Sequence, residues 1–303
     1  METNVRAKGP KAFIAKICAV LFLLIMIVFT LYPIVYTVLG SLKTNAELTA
    51  GGSFLPKSWQ FQNYYQAFIQ ADFVKYTGNS VILAVSTTLL AVITCALAGF
   101  IFARRDFTGK KLLLGLYTSM MFISLGSVTL YPIYQFLHDV GLSKSMIGLI
   151  LALTGGQAMN VLLVMGFVKG IPKELDEAAT IDGCSLFGTF VRIILPLMKP
   201  ILAVVALFVF RNTWNDYITT LIMTITNPKL QTLTVAVVQL KYSVNAAAEW
   251  HIMLGGALMR CGSACFSSSQ CAAAFPFAYR EKHGIIPLYK KCPRNAQGTG
   301  GRR

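Results

Sequence analysis

Residues 13–39 read FIAKICAVLFLLIMIVFTLYPIVYTVL, and Lys16 is the single charged side chain in this stretch. About 20 apolar residues in a helix are enough to cross the hydrocarbon core of a bilayer. The stretch is longer than the apolar core of a signal peptide, and no small-x-small cleavage pattern follows it. It therefore predicts a first membrane-spanning helix.

Further apolar runs repeat this pattern along the chain. They cover residues 81–103, 112–137, 145–168 and 197–225. Few acidic residues interrupt them, and Asp216 is the exception. A sixth span would begin near Trp250, although its second half is less apolar. The sequence thus predicts an all-α, polytopic membrane protein with six transmembrane helices by design, five of them clear.

The composition agrees with lipid as the solvent. Apolar residues make up 55% of the 303 residues and charged residues only 13%, against about 25% charged in soluble domains. Lys and Arg outnumber Asp and Glu by 27 to 12, which in a soluble protein could indicate nucleic-acid binding. Here the basic residues lie between apolar runs, so we expect membrane lipid and no nucleic acid as a partner.

The basic residues also predict the orientation, because short cytoplasmic loops are enriched in Lys and Arg. One side would carry Arg6, Lys8, Lys11, Lys16, Arg104, Arg105, Lys110, Lys111, Lys169, Lys173, Arg192 and Lys199. The other side would carry only Lys43, Lys57, Lys75, Lys144, Lys229 and Lys241, over longer loops. We therefore expect a multi-pass protein of a cell membrane, with the N-terminus and residues 169–199 on the cytoplasmic side.

The segment between the fourth and fifth spans, KGIPKELDEAATIDGCSLFGTFVRIILP at residues 169–196, predicts two short helices. Pro172 suits a first helical position, and the acidic residues after it match the positive end of the helix dipole. Gly183 is a natural helix stop. Pro196 would separate the second short helix from the next span.

The first of these helices has a narrow face with small residues in its middle. The residues at i, i+3, i+4 and i+7 that form it are Leu175, Ala178, Ala179 and Asp182. Such a helix could rest on the membrane surface or lie in a groove of a partner protein. The pattern alone leaves both interpretations open.

The run Glu177–Gly183, followed twelve residues later by Leu195 and Pro196, resembles the EAA signature of ABC importer permeases. Other stretches resemble the carbohydrate-uptake, maltose-type branch of that family, and the likeness extends from about residue 13 to 259. These stretches are Ser41-Leu42-Lys43, Pro56, Asn63-Tyr64, Asn79-Ser80 and Trp214-Asn215-Asp216.

This resemblance implies that the first short helix is a coupling helix that docks on a separate ATP-hydrolysing subunit. The residues implied to couple to that subunit are Glu177, Ala178, Ala179, Asp182, Gly183, Leu195 and Pro196. The implied partners are a second homologous permease, two ATP-binding subunits and an extracytoplasmic sugar-binding protein. The sequence contains no G-x-x-x-x-G-K-[ST] run, so we expect no ATP or magnesium site in this chain and no enzymatic activity of its own.

The fifth predicted span carries unusual polar residues that are candidates for a substrate pathway. Arg211 is costly in the middle of a span, and Trp214 and Asn215 follow it at i+3 and i+4 on a shared face. An aromatic plane beside hydrogen-bonding groups suits a sugar, but contact between packed helices is an alternative. Asp216 lies on a different face.

Two other functions remain open at this point. A secondary carrier driven by an ion gradient would need an ionisable group within a span, for which Asp216 is the main candidate. A membrane-embedded enzyme is disfavoured because no convergent set of His, Asp and Ser is evident. The three histidines are far apart in the sequence, so we predict no metal site.

After Met259 the sequence changes character. The predicted permease domain, residues 1–259, gives way to a basic tail at 260–303 that is rich in Cys and Ser, with Cys261, Cys265 and Cys271. Apolar periodicity and family likeness are lost together, which suggests a reading-frame shift near residue 260. Translation of the DNA in the other two frames tests this hypothesis. A genuine tail would imply a damaged sixth span and a poorly inserted or inactive copy.

Overall fold

The computed structural model describes residues 10–51, 53–122, 126–242 and 249–274, and it describes side chains from residue 16 to residue 262. Throughout these ranges the regular elements are helices, and no strand occurs. The chain divides into two compact units. Unit 1 comprises Met1–Phe73 and Ala236–Gly262, and unit 2 comprises Val74–Val235 and Ser263–Arg303.

The α-helices are numbered in chain order. They are α1 (Pro10–Ser41), α2 (Asn45–Ala50), α3 (Gln62–Gln70), α4 (Phe73–Arg104), α5 (Lys110–Phe122), α6 (Leu130–Asp139), α7 (Met146–Thr154), α8 (Ala158–Lys169), α9 (Glu174–Ile181), α10 (Leu186–Thr189), α11 (Leu195–Leu197), α12 (Lys199–Asn215), α13 (Ile218–Thr224), α14 (Leu233–Gln239) and α15 (Trp250–Ala274). Short 3₁₀ helices cover Gly126–Thr129, Pro228–Leu230 and Leu240–Tyr242, and a π-helical turn covers Phe190–Ile194.

Two of the described helices, Lys16–Ser41 and Phe73–Arg104, are long and apolar enough to cross a membrane. Two bent pairs raise the number to four if each pair forms one span. The pairs are α7 with α8, bent by 56°, and Leu186–Leu197 with α12, bent by 77°. The helical, membrane-protein character predicted from the sequence is confirmed, whereas the number of six spans stays a prediction.

Several predicted spans are broken in the structure. The run at 145–168 breaks at Gly155 and Gly156, where Gly156 has a φ of +70°, a conformation that glycine adopts readily. The run at 112–137 is divided among α5, a 3₁₀ helix and α6, and residues 123–125 lie outside the described part of the chain. The prediction of one helix over 197–225 is wrong, because Asp216 is extended (φ −64°, ψ 128°) between α12 and α13.

The prediction that Pro196 separates the second short helix from the next span is also wrong. Pro196 lies within the continuous helical run Leu186–Leu197, and the 77° bend follows at Met198. Because proline has no N–H to donate, one helical hydrogen bond is missing at Pro196. The π-helical turn Phe190–Ile194 immediately before it accommodates the missing bond. The helical run therefore extends past Pro196 before the chain turns into α12.

In unit 1, a buried hydrogen-bond cluster joins the end of α1 to the start of α3. The Asn63 side-chain amide donates to the carbonyls of Ser41 (2.8 Å) and Lys43 (3.0 Å). The Tyr64 hydroxyl lies 2.7 Å from the Ser41 hydroxyl. Because Ser41, Lys43 and Asn63 are buried, these bonds satisfy polar groups that would otherwise be costly. Four of the residues that resembled the carbohydrate-uptake family in this part of the chain, Ser41, Lys43, Asn63 and Tyr64, thus form one structural cluster.

In unit 2, the main apolar core lies among α4, α8, the π-helical turn and α12. A Cβ atom at Gly99 would lie 2.5 Å from Val164 Cγ1, so α4 and α8 approach closely, as small residues permit in membrane helices. The Asn79 amide donates to the carbonyls of Lys229 and Gln231, each at 2.9 Å. Asn79 and Ser80 directly precede the apolar run at 81–103, but α4 begins at Phe73 and includes both residues.

Candidate functional site

The first candidate region is α9 with its two flanking turns. Three acidic side chains, Glu174, Asp176 and Glu177, lie in the first turn of α9, where negative charge stabilises a helix. The helix ends as predicted at Gly183, which has a φ of +78°. The N–H of Gly183 donates to Thr180, and the next N–H, of Cys184, donates to Ala179. These two bonds form a Schellman motif, which closes α9 and turns the chain sharply.

A second cap starts the following helix almost at once. The Ser185 hydroxyl accepts a hydrogen bond from the N–H of Gly188 at 3.2 Å, which caps α10. The two predicted short helices are therefore both present, separated by a turn that their own caps determine.

The orientation of α9 differs from the predicted common face. Ala179 is 1% exposed and packs into unit 2, whereas Leu175, Ala178 and Asp182 are exposed. Leu175 is 40% and Ile181 is 87% exposed. The helix therefore rests on Ala179 and presents Leu175, Ala178 and Ile181 outward, with Glu177 and Asp182 also exposed.

This outward surface of α9 continues onto the next helix. Leu186 and Phe187 are 44% and 68% exposed. We define the "α9 face" as the exposed side chains Leu175, Glu177, Ala178, Ile181, Asp182, Leu186 and Phe187. Exposed apolar side chains close in sequence to exposed charges are typical of a protein–protein contact.

Arg104, the last residue of α4, connects that helix to α9. Its Nε lies 2.8 Å from Asp176 Oδ2, and the Arg104 side chain is 6% exposed. Its Nη2 donates to the carbonyls of Ile171 (2.8 Å) and Pro172 (3.4 Å). Burial raises the pKa of the Asp176 carboxyl, an effect that exceeds the lowering by Arg104. Sequence reasoning missed this connection, because it used Arg104 only as a loop charge and Asp176 only as a helix-end charge.

A cleft of about 520 Å³ opens beside this ion pair. The part of its wall that α9 supplies includes Glu177, Thr180 and Ile181. Other parts of the wall include Phe100 and Arg105. The apolar and charged walls could receive a side chain from a partner protein. The two remaining coupling candidates, Leu195 and Pro196, lie elsewhere, half-buried between the fully buried Ile194 and Met198. They do not belong to the α9 face.

The second candidate region, the end of α12, does not hold its polar residues together. Trp214 is 5% exposed and stacks on Phe210 with ring centroids 5.7 Å apart. Arg211 and Asn215 are exposed instead, and the Asn215 amide donates to the Arg211 carbonyl at 2.8 Å. The predicted shared face of Arg211, Trp214 and Asn215 is therefore wrong, since the indole lies in the core and the other two side chains lie outside it.

Asp216 lies between α12 and α13 and caps the second of these helices. Its carboxylate accepts hydrogen bonds from the Thr220 N–H (2.9 Å) and from the hydroxyls of Thr219 (2.9 Å) and Thr220 (3.0 Å). These bonds supply a cap for the first turn of α13, where backbone N–H groups lack helical partners. In the described ranges no group of three or more His, Cys, Asp or Glu side chains could hold a metal ion.

Comparison with known proteins identifies the family. Residues 95–259 match the profile of the "Binding-protein-dependent transport system inner membrane component" family, a range that includes both candidate regions. The match ends at residue 259. The domain boundary at 259 and the reading-frame hypothesis stay predictions. Residues 275–303 lie outside the part of the chain that the structure describes.

Individual relatives agree with this match. The Bacillus subtilis (strain 168) protein LplC is 33% identical over 218 residues, 72% of each chain. The arabinooligosaccharides transport system permease protein AraQ of the same organism is 31% identical, over 71% of this chain and 77% of its own. The diacetylchitobiose uptake system permease protein NgcG of Streptomyces coelicolor is 29% identical, over 70% of each.

A solved structure shows the same fold. One chain in the crystal structure of a bacterial ABC transporter involved in the import of the acidic polysaccharide alginate superposes with a TM-score of 0.73 at 19% identity. The superposition covers 88% of this chain and 99% of that chain. The family profile and the sequence relatives confirm the resemblance to carbohydrate-uptake ABC permeases that was drawn from the sequence, and the chain belongs to the family of binding-protein-dependent transport system inner membrane components.

Proposed function

We propose that this chain is one of two membrane-spanning subunits of an ATP-driven ABC importer. The α9 face is the observation that carries the proposal. The chain fixes α9 firmly, through Ala179, Arg104 and the Schellman motif, yet leaves Leu175 and Ile181 uncovered. A short helix held rigidly with an apolar outer face suits docking into a groove of another protein.

That other protein would be the ATP-hydrolysing subunit, so that ATP and magnesium are bound outside this chain and this chain is not an enzyme. Closure of two such subunits around ATP would push residues 172–184. The spans would then switch between two packed arrangements, inward-open and outward-open. Glu177 and Asp182, both exposed, are placed to meet basic groups or backbone donors on the partner.

The topology follows from the same proposal. The α9 face must be cytoplasmic to meet the ATP-hydrolysing subunit, which agrees with the number of Lys and Arg residues in 169–199 and near the N-terminus. The N-terminus is then also cytoplasmic. Six spans in this chain would pack against a second homologous permease, and a binding protein would deliver the substrate on the opposite side.

The substrate we propose is a sugar or oligosaccharide. The support comes from relatives named for the transport of arabinooligosaccharides, diacetylchitobiose and maltodextrin. Within this chain, Arg211 and Asn215 are the exposed polar candidates for a substrate pathway. Trp214 and Asp216, which stood beside them as candidates, contribute to packing and to the cap of α13.

The alternative is a secondary carrier driven by an ion gradient, with Asp216 as the ion-binding group. The structure gives this carboxylate three hydrogen-bond donors from Thr219 and Thr220. A capping role accounts for its presence in an apolar run without ion transport. We therefore favour ATP-driven import.

The test is co-purification of the ATP-hydrolysing subunit from membranes that express the whole transporter. Ala178→Arg places a large cation on the α9 face without disturbing a buried group, so we expect normal membrane insertion and a loss of bound ATPase of about tenfold or more. Thr108→Arg is the matched control, since Thr108 is exposed in the neighbouring loop. Equal amounts of ATPase on both variants would contradict the proposal.

A further inference from the structure

We propose that Arg104 is a positioning residue that clamps the docking helix α9 to the end of α4. Displacement of α9 by a partner would then pass directly into a membrane-spanning helix. This inference rests on the proposed function, because it assumes that α9 is the element on which the ATPase acts.

The clamp has contacts on both sides of the start of α9. The Nε of Arg104 lies 2.8 Å from Asp176 Oδ2 in an ion pair, within the first turn of the helix. The Nη2 of the same guanidinium donates to the carbonyls of Ile171 and Pro172, in the segment that enters the helix. A planar guanidinium holds several acceptors in one fixed geometry, which a lysine ammonium cannot reproduce. The entry segment and the helix are therefore fixed to one side chain.

A second ion pair nearby shows why this one is suited to carry force. Lys110 Nζ and Asp106 Oδ1 are also 2.8 Å apart, but the Asp106 side chain is 97% exposed and the two residues are only four apart in sequence. The Arg104 and Asp176 side chains are 6% and 25% exposed, and 72 residues separate them. Water competes with an exposed pair much more than with a shielded one. Only the shielded pair can keep two distant elements in register while they move.

The helix that Arg104 joins to α9, α4, is suited to transmit a displacement. α4 is a single helix of 32 residues without an internal proline, about 48 Å long at 1.5 Å per residue. The chain itself also links α9 to the membrane on both sides, but through bent pairs of helices. Upstream, residues 170–173 lead to α8, which is bent by 56° from α7, and downstream Leu186–Leu197 bends by 77° into α12. Force transmitted along either covalent route must cross a bend before it reaches the far end of the helix pair. Arg104 therefore offers the connection between α9 and an unbroken span.

The clamp can be tested in the complete transporter, purified with its ATPase and reconstituted in lipid. A cysteine introduced by Leu89→Cys, at a position on α4 that is 63% exposed, is labelled with a thiol reagent with and without ATP plus vanadate. Labelling of the same complex without that substitution is subtracted. We expect Arg104→Ala to reduce the nucleotide-dependent change in labelling by roughly fivefold or more, while most of the ATPase still co-purifies.

Two further variants separate a clamp from a general loss of folding. Lys110→Ala breaks the exposed ion pair and should leave the nucleotide-dependent change intact. The reversed pair, Arg104→Asp with Asp176→Arg, should recover more of the change than Arg104→Asp alone, which a merely structural defect would not show. Arg104→Lys keeps the charge but not the planar fork, so it should give an intermediate change even if Arg104→Ala accumulates poorly.

The outcomes distinguish the two proposals. A full nucleotide-dependent change in Arg104→Ala, or no recovery in the reversed pair, would overturn the clamp and leave the proposed function standing. Failure of any ATPase to co-purify with the unaltered chain would overturn the proposed function and the clamp with it.

Discussion

The α9 element and the end of α12 both carry polar residues that the sequence singles out, yet the chain uses them differently. In α9 the buried contact is one methyl group, on Ala179, and the larger side chains face outward. At the end of α12 the largest side chain, Trp214, faces the core, and Asp216 is bonded to the helix that follows. The first region leaves apolar side chains uncovered, whereas half of the second region serves the fold of this chain.

The difference shows what a candidate list from sequence can and cannot separate. Trp214 and Asp216 looked like pathway residues because polar and aromatic groups in a span are unusual. Both find their partners inside unit 2. Arg211 and Asn215 are the two whose side chains remain exposed. Substitutions in the two regions should therefore separate stability effects from transport effects.

The largest effect should come from Trp214→Ala. Removal of this buried indole leaves a cavity beside Phe210 and should lower the free energy of unfolding by about 3–5 kcal/mol, measured by denaturant titration in detergent. Arg211→Ala is the comparison, three residues away and exposed, and should change stability little. If Arg211→Ala destabilises the chain as much as Trp214→Ala, the assignment of the two side chains to different surfaces is wrong.

The next effect uses two adjacent alanines of α9 as a matched pair. Ala179→Leu overfills the buried space in which Ala179 packs and should lower the free energy of unfolding by about 1–3 kcal/mol. Ala178→Leu adds the same atoms on the exposed side and should change stability by no more than about 0.5 kcal/mol. Both are measured on the chain without its partners, by thermal unfolding and by protease cleavage near Gly183. Equal effects at the two positions would show that α9 does not rest on Ala179.

The smallest effect should be that of Asp216→Asn. An asparagine keeps an oxygen that can accept a hydrogen bond from the N–H of Thr220, so the free energy of unfolding should fall by less than about 1 kcal/mol. Asp216→Ala removes the acceptor altogether and should cost about 1–2 kcal/mol. Unfolding measurements on the two variants decide the matter. An equal loss in both would mean that the negative charge, and not the cap, is what this position requires.

The parts of the fold that the sequence predicts well are those with a local cause. The apolar run that starts α1, the acidic first turn of α9 and its stop at Gly183 all depend on residues within a few positions of one another. The start of α15 at Trp250 also agrees with the predicted start of the sixth span. These features follow from hydropathy, helix dipoles and backbone conformation alone.

The parts that the sequence does not predict depend on distant contacts or on competing local rules. The pairing of Arg104 with Asp176 joins residues 72 apart. The break at Asp216 had a signal, because an acidic residue three positions before Thr219 can cap a helix, but the surrounding apolar run suggested one continuous span. Pro196 is accommodated by a π-helical turn, which periodicity does not reveal.

The most direct test of the central claim asks what touches the α9 face in the assembled transporter. A photo-crosslinking benzoylphenylalanine at the position of Leu175, which is 40% exposed, would be activated in membranes that express all subunits. The same residue at the position of Thr108 serves as the control. The account predicts that the ATP-hydrolysing subunit is captured from the Leu175 position and not from the Thr108 position. Capture of lipid alone from the Leu175 position, with the ATPase present in the same membranes, would contradict it.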